Sequence, residues 1–119
     1  MLDHPEKTIG LVSILRAATP FEVELSQSLI DRLRAERVAF DAEPPYIASD
    51  VSYAGDEGGI MCRIERKEGR GALVVSITHL RVSRALPFAA DVLGYQKHRM
   101  KKLKKQHGEA WKAHLIAQS

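Results

Sequence analysis

Residues 59–82 read GIMCRIERKEGRGALVVSITHLRV, two alternating runs on either side of a turn. Ile60, Cys62 and Ile64 share one face of the first run, and Leu73, Val75 and Ile77 share one face of the second. A two-residue loop centred on Glu68-Gly69 pairs Ile64 with Leu73, Cys62 with Val75 and Ile60 with Ile77, so turn and apolar face specify the same register. A slip of one residue would send every apolar side chain to the opposite face. The stretch is expected to form the centre of an antiparallel sheet.

Working outward, Tyr46 to Ala54 reads as a further strand, and Gly55-Asp56-Glu57-Gly58-Gly59 as the turn that follows it. Centred on Asp56-Glu57, this turn pairs Tyr53 with Ile60 and Val51 with Cys62, and it sets Asp50 opposite Arg63. The other sheet face then carries Asp50, Ser52, Arg63, Glu65, Ser76 and Thr78, a polar surface that can meet water or a partner. Upstream, Pro44-Pro45 marks a boundary, and Val38 to Ala42 fits a short edge strand.

The flanks read as helices. Asp3-His4-Pro5-Glu6 suits a helix start, with a first helix to about Ala17; a buried strand over Ile9 to Leu15 is the alternative. Thr19-Pro20-Phe21-Glu22 has the form of a capping box, and Phe21, Leu25, Leu29 and Leu33 recur every four residues, which predicts a helix to about Arg37. Pro87 opens a last helix to about His107, with Gly108 as its stop. Phe88, Val92, Tyr95 and Leu103 form its apolar stripe, and Arg99 falls within that stripe. Trp111 and Leu115 lie beyond Gly108, in a tail or short helix that could pack back on the body. The expected fold is α+β and two-layered: a three- or four-stranded antiparallel meander with the Pro20 and Pro87 helices on its Ile60/Val75 face, in the order α-α-β-β-β-α. One domain spans 1–119, with an N-terminal helical segment at 1–19, the core at 20–107 and the tail at 108–119.

At 119 residues the chain suits one core, and 45% hydrophobic with 28% charged residues excludes general disorder. The longest apolar run, Ile9 to Leu15, is broken by Gly10 and Ser13 and is too short to span a bilayer. Asp3 and Glu6 stand where a signal peptide would carry base, so the expected location is cytoplasmic. The one cysteine, Cys62, agrees with a reducing compartment. The net charge of +3 is divided unevenly: residues 1–80 hold 9 basic against 13 acidic side chains, and residues 81–119 hold 9 against 2.

The order helix, three strands, helix over residues 20–107 resembles that of double-stranded RNA-binding domains. The resemblance implies RNA binding through lysines at the start of the second helix and through a Gly-Pro-x-His loop between the first two strands. Here the helix start reads Leu86-Pro87-Phe88-Ala89-Ala90-Asp91, without a base, and the loop reads GDEGG over 55–59. The order of elements carries over, and the RNA-gripping residues do not.

No nucleophile, base or metal set stands out. The strand register holds Cys62 and His79 apart, with His79 opposite Gly58, so they make no thiol-imidazole pair. The histidines lack zinc spacing, and the two acids of GDEGG would repel a phosphate. No cofactor and no metal are expected. Two surfaces remain. One is the polar sheet face with Asp50, Arg63, Glu65, Ser76 and Thr78, which points to a non-enzymatic binding or assembly protein, homodimeric through that face or an edge strand. The other is the run Lys97, Lys101, Lys104 and Lys105, which would bind nucleic-acid phosphates weakly and without sequence preference, with Tyr95 or Trp111 stacking on a base. The competing account of the lysines is structural: cations in a helix's last turns offset its dipole.

Overall fold

The computed structural model describes residues 3–118, with side chains from residue 3 to residue 105. Its elements are α1 (Pro5–Ala18), β1 (Phe21–Leu25), α2 (Gln27–Ala35), β2 (Tyr46–Tyr53), β3 (Ile60–Glu65), β4 (Ala72–Ser76), β5 (Leu80–Val82) and α3 (Ala89–Gln118). The fold is α+β around one antiparallel sheet, but that sheet has five strands in the order β4-β3-β2-β1-β5. Neither the three- or four-stranded meander nor the α-α-β-β-β-α order survives.

The difference begins at Thr19. Its hydroxyl donates back to the Arg16 carbonyl at 2.7 Å, closing α1 rather than opening a new helix. Phe21, Val23 and Leu25 then alternate inward with Glu22 and Glu24 outward, so the capping-box segment is a strand. The helix starts only at Ser26, whose hydroxyl accepts from the Leu29 amide at 3.2 Å. The four-residue spacing of Phe21, Leu25, Leu29 and Leu33 thus crosses two elements. Residues 38–42 form no strand, and β1 instead pairs along β2, which is therefore the middle strand of the sheet rather than an edge.

In the β2-β3-β4 meander, Tyr53 faces Ile60, Val51 faces Cys62, Asp50 faces Arg63, Cys62 faces Val75 and Ile64 faces Leu73, as the turns require. The register holds although the β3-β4 loop is not the two-residue turn expected: Arg66 and Gly71 close it, and between them Lys67–Gly69 form a 3-10 turn in which Glu68 and Gly69 have positive φ, 62° and 67°. A bulge at Ser49 shifts the phase of β2, so Tyr46 and Ala48 point inward and, three residues on, so does Val51. The pair Ile60–Ile77 does not form. β4 ends at Ser76, and Ile77 begins a single 3-10 turn that carries the chain across to β5 beside β1.

α1 lies over β2 and touches α3; Leu11 and Leu15 are its buried apolar contacts. Phe88, just before α3, meets Phe21 edge-on at 5.2 Å, and α3 brings in the fully buried Val92. Under them Val51, Ile60, Cys62, Ile64, Ile77 and Leu80 are almost completely enclosed. Each large aliphatic side chain of this set contributes about 1.5–3 kcal/mol by leaving water. α3 also runs past Gly108 without a break. One glycine costs a helix only about 1 kcal/mol against alanine and does not have to end it. The expectation that Trp111 and Leu115 pack back on the body concerns side chains outside the described residues. Among the described residues no helix is long and apolar enough to cross a membrane.

Candidate functional site

The sheet has two edges, and the backbone dictates what each can do. In an antiparallel pair, residues alternate between facing their partner strand and facing away. Arg66 N–H donates to Gly71 O at 2.9 Å, so Ile64–Leu73 and Cys62–Val75 are the bonded pairs of β3 and β4. Ala72, Val74 and Ser76 consequently turn their N–H and C=O groups out from the sheet. The strand ALVVS carries no charge, proline or bulge, and Val74 is 59% exposed. Natural sheets usually guard an outer strand with one of those devices.

The β5 edge is guarded. Ser26 N–H donates to His79 O at 3.0 Å, which fixes the alternation and turns Leu80 and Val82 outward. The Leu80 amide is used by Ile77 O, and its carbonyl accepts from Gln96 Nε2 at 2.7 Å. The same Gln96 amide donates to Ile77 O, so both outward groups of Leu80 are occupied, one of them by a side chain of α3, which leaves only Val82 to offer outward groups on this three-residue edge. Beyond it lies a groove of about 960 Å³ between β5 and the start of α3, with Arg81, Arg84, Glu22, Glu24 and Leu93 among its lining. Acids and bases balance there.

The outer sheet face lies open, with Glu22, Asp50, Arg63, Val74 and Arg81 all exposed. Of the five residues expected on it, Arg63 and Glu65 join in an ion pair at 2.8 Å, and Ser49, pushed out by the bulge, donates to the same Glu65 oxygen at 2.9 Å. The hydrogen bond from Arg63 holds the Glu65 carboxyl below its ordinary range and raises the guanidinium in turn. Asp50 stands opposite Arg63 but accepts from the Val51 amide at 2.9 Å. Ser76 closes β4, its hydroxyl 2.9 Å from that of Thr78, and Thr78 leaves the sheet in the 3-10 turn. Asp41 is held elsewhere: buried, ion-paired with Arg70 and accepting from the Lys67 amide at 2.9 Å, it seats the β3-β4 hairpin tip.

On the covered side sits a polar cluster that the apolar periodicity did not reveal. Asp3 Oδ2 accepts from Tyr53 Oη at 2.9 Å, from Tyr95 Oη at 3.0 Å and from Arg99 Nη1 at 3.0 Å. Arg99 also donates to the Asp56 carbonyl at 2.6 Å, and Tyr95 Oη accepts from the Ile60 amide at 3.0 Å. The Asp3 and Arg99 side chains are 0% and 3% exposed. Asp3 Oδ1 has no hydrogen-bond partner among the described residues. Burial and the Asp3 hydrogen bond push the Tyr53 hydroxyl up to about 12, and burial raises Tyr95 further. An arginine inside an apolar stripe was the one signal of this cluster, because a buried cation requires an acid.

His79 lies beside β1 rather than opposite Gly58, because the 3-10 turn intervenes. Burial lowers its pKa, with Arg32 adding to the effect. Cys62 is fully buried in the core and its thiol is pushed up to about 12 by that burial, so it is a packing residue rather than a thiolate. Lys97, Lys101, Lys104 and Lys105 are all exposed on α3, whereas Tyr95 is buried and unable to stack on a base. Among the described residues no three His, Cys, Asp or Glu side chains are placed to hold a metal ion. Comparison of the chain with protein-family models, with curated proteins and with solved structures gave no match.

Proposed function

We propose that this protein is a small non-enzymatic assembly protein of the cytoplasm, and that it joins a second copy of itself through β4. The observation that carries the reading is the unguarded edge of Ala72–Ser76. A two-fold axis at Val74 sets Val74 against its own copy and Ala72 against Ser76, and the outward N–H and C=O groups of all three residues then form bonded pairs. The strand is self-complementary: small residues flank the valine, and no charge meets a like charge. Pairing also joins the two outer faces, so the Asp50, Arg63 and Glu65 surfaces lie on one continuous sheet available to a further partner.

A five-residue strand contact falls short of the roughly 1,200 Å² typical of stable interfaces, so association belongs in the micromolar range rather than the nanomolar. Sedimentation velocity over a concentration series tests this. The wild type is expected to shift from monomer to dimer, and Val74→Lys, which places a charge on the edge, is expected to stay monomeric with an unchanged circular dichroism spectrum. A wild type that stays monomeric at about 1 mM, well above the micromolar range expected of such a contact, removes the dimer. A Val74→Lys variant that still dimerises moves the interface off β4.

A further inference from the structure

The structural account of the lysines fails on the length of α3. Cations offset a helix dipole only within its last turn. α3 continues to Gln118, and its last turn contains no basic residue, so Lys97 to Lys105 lie in mid-helix where the dipole offers them nothing. Lys97 with Lys101, and Lys101 with Lys105, stand four residues apart, a spacing at which like charges repel. α3 holds two acids, Asp91, a turn and a half before Lys97, and Glu109, a turn beyond Lys105, so Lys97, Lys101 and Lys104 have no acid three or four residues away along the helix. Arg99, which sits among the lysines in sequence, turns the other way and is consumed by Asp3. What remains is a surface of exposed lysines that costs the helix stability when it is alone.

From this we infer that the exposed Lys97–Lys105 face of α3 binds the phosphate backbone of a nucleic-acid duplex. Charge complementarity carries the assignment. At 1.5 Å per residue the lysines span about 12 Å, and a duplex presents about seven charges over that length. The contacts fix position and read little sequence, because the lysines are point charges without a planar amide and the one ring among them is the exposed His98 imidazole. Single strands are disfavoured because stacking favours a large exposed ring: the nearest such ring, Tyr95, is buried with its hydroxyl locked between Asp3 and Ile60, which leaves only the His98 imidazole. An anionic membrane is disfavoured because the one exposed apolar side chain near the lysines, Leu93, lies a turn before Lys97, while Met100 and Leu103 turn half into the body, so there is no apolar stripe to insert. Asp56 and Glu57 stand in the 3-10 turn whose Asp56 carbonyl binds Arg99, which brings two acids close to the inner side of α3. They bias the contact toward the outer side of the helix.

The test is a salt titration of the full chain with a labelled mixed-sequence duplex, followed by fluorescence anisotropy. Four phosphate contacts predict a slope of log K against log salt of about −3.6, an approximately hundredfold loss of affinity between about 50 and 200 mM salt. Replacing Lys97, Lys101, Lys104 and Lys105 with glutamine should abolish most of that slope while the circular dichroism spectrum stays unchanged. If the fourfold variant unfolds, the pair Lys101→Gln and Lys105→Gln carries the test, with a slope smaller by about 2. Absence of a complex at low salt, or an unchanged slope in the folded variant, overturns the inference. So does tighter binding to single-stranded oligo(dT) or to phosphatidylserine vesicles than to the duplex.

Discussion

Two arginine–carboxylate pairs of nearly equal length do different work in this protein. Arg63 and Glu65 meet at 2.8 Å on the outer sheet face, with side chains 51% and 46% exposed; Arg99 and Asp3 meet at 3.0 Å with 3% and 0%. Distance does not separate them. Water competes for both partners of the first pair, so breaking it returns each to solvent. Nothing competes for the second, and removing either partner strands a charge in the core. The same contrast divides the molecule: the covered side is fixed by groups that cannot be released, and the outer face is held by groups that can change partners.

The largest expected effect comes from Asp3→Ala. It leaves Arg99 buried and unpaired and takes an acceptor from two tyrosines, so urea unfolding should show a loss of about 3–5 kcal/mol. Adding Arg99→Met should recover most of it, since an apolar pair removes the stranded charge. A loss of under about 1 kcal/mol for Asp3→Ala alone would collapse the distinction between the two pairs. Next in size is an alkaline limb. Tyr53 ionises near 10 when unfolded and about 12 when folded, so the fold favours the neutral hydroxyl. Its contribution is complete below pH 10 and is lost as pH rises toward 12, and the raised Tyr95 hydroxyl extends the loss in the same direction. Thermal melts across that range should fall, and Tyr53→Phe should reduce the slope. The smallest effect is that of Glu65→Ala, whose unfolding midpoint should match the wild type within error at every salt concentration.

The β2-β3-β4 part of the five-stranded sheet was legible because two independent signals agreed on it. The glycines at the two turns and the shared parity of Val51, Cys62 and Val75 demand one register. β1 was not legible because Phe21, Leu25, Leu29 and Leu33 satisfy a helical period while Phe21, Val23 and Leu25 satisfy a strand period. The deciding residue was Ser26, an ordinary cap hidden between them. β5 has three residues, too few to show any period, and it appears only because the chain turns at Ser76. On the outer face Arg63 and Glu65 were readable, but the sequence paired Arg63 with Asp50 across the strands, whereas Arg63 pairs along its own strand with Glu65 and Asp50 accepts from the Val51 amide. Arg99 was conspicuous in its stripe, whereas its acid is 96 positions away and no local pattern connects them. The sheet edges, where the proposed dimer forms, required the full strand order.

Gly59 has a consequence for recognising relatives. Its φ of 67° is one that side chains rarely adopt, and a Cβ there would fall onto Tyr95 Oη and within 2.8 Å of Arg99 Nε. The glycine, the tyrosine and the arginine therefore form one steric unit, and the arginine in turn requires Asp3. A distant homologue could exchange the β4 valine or any lysine of α3 and still fold, but losing Asp3 would call for a change at Arg99, and a side chain at Gly59 would call for changes at Tyr95 and Arg99. Asp3, Gly59, Tyr95 and Arg99 thus form a search pattern scattered along the chain, better suited to finding kin by co-varying positions than by any contiguous motif.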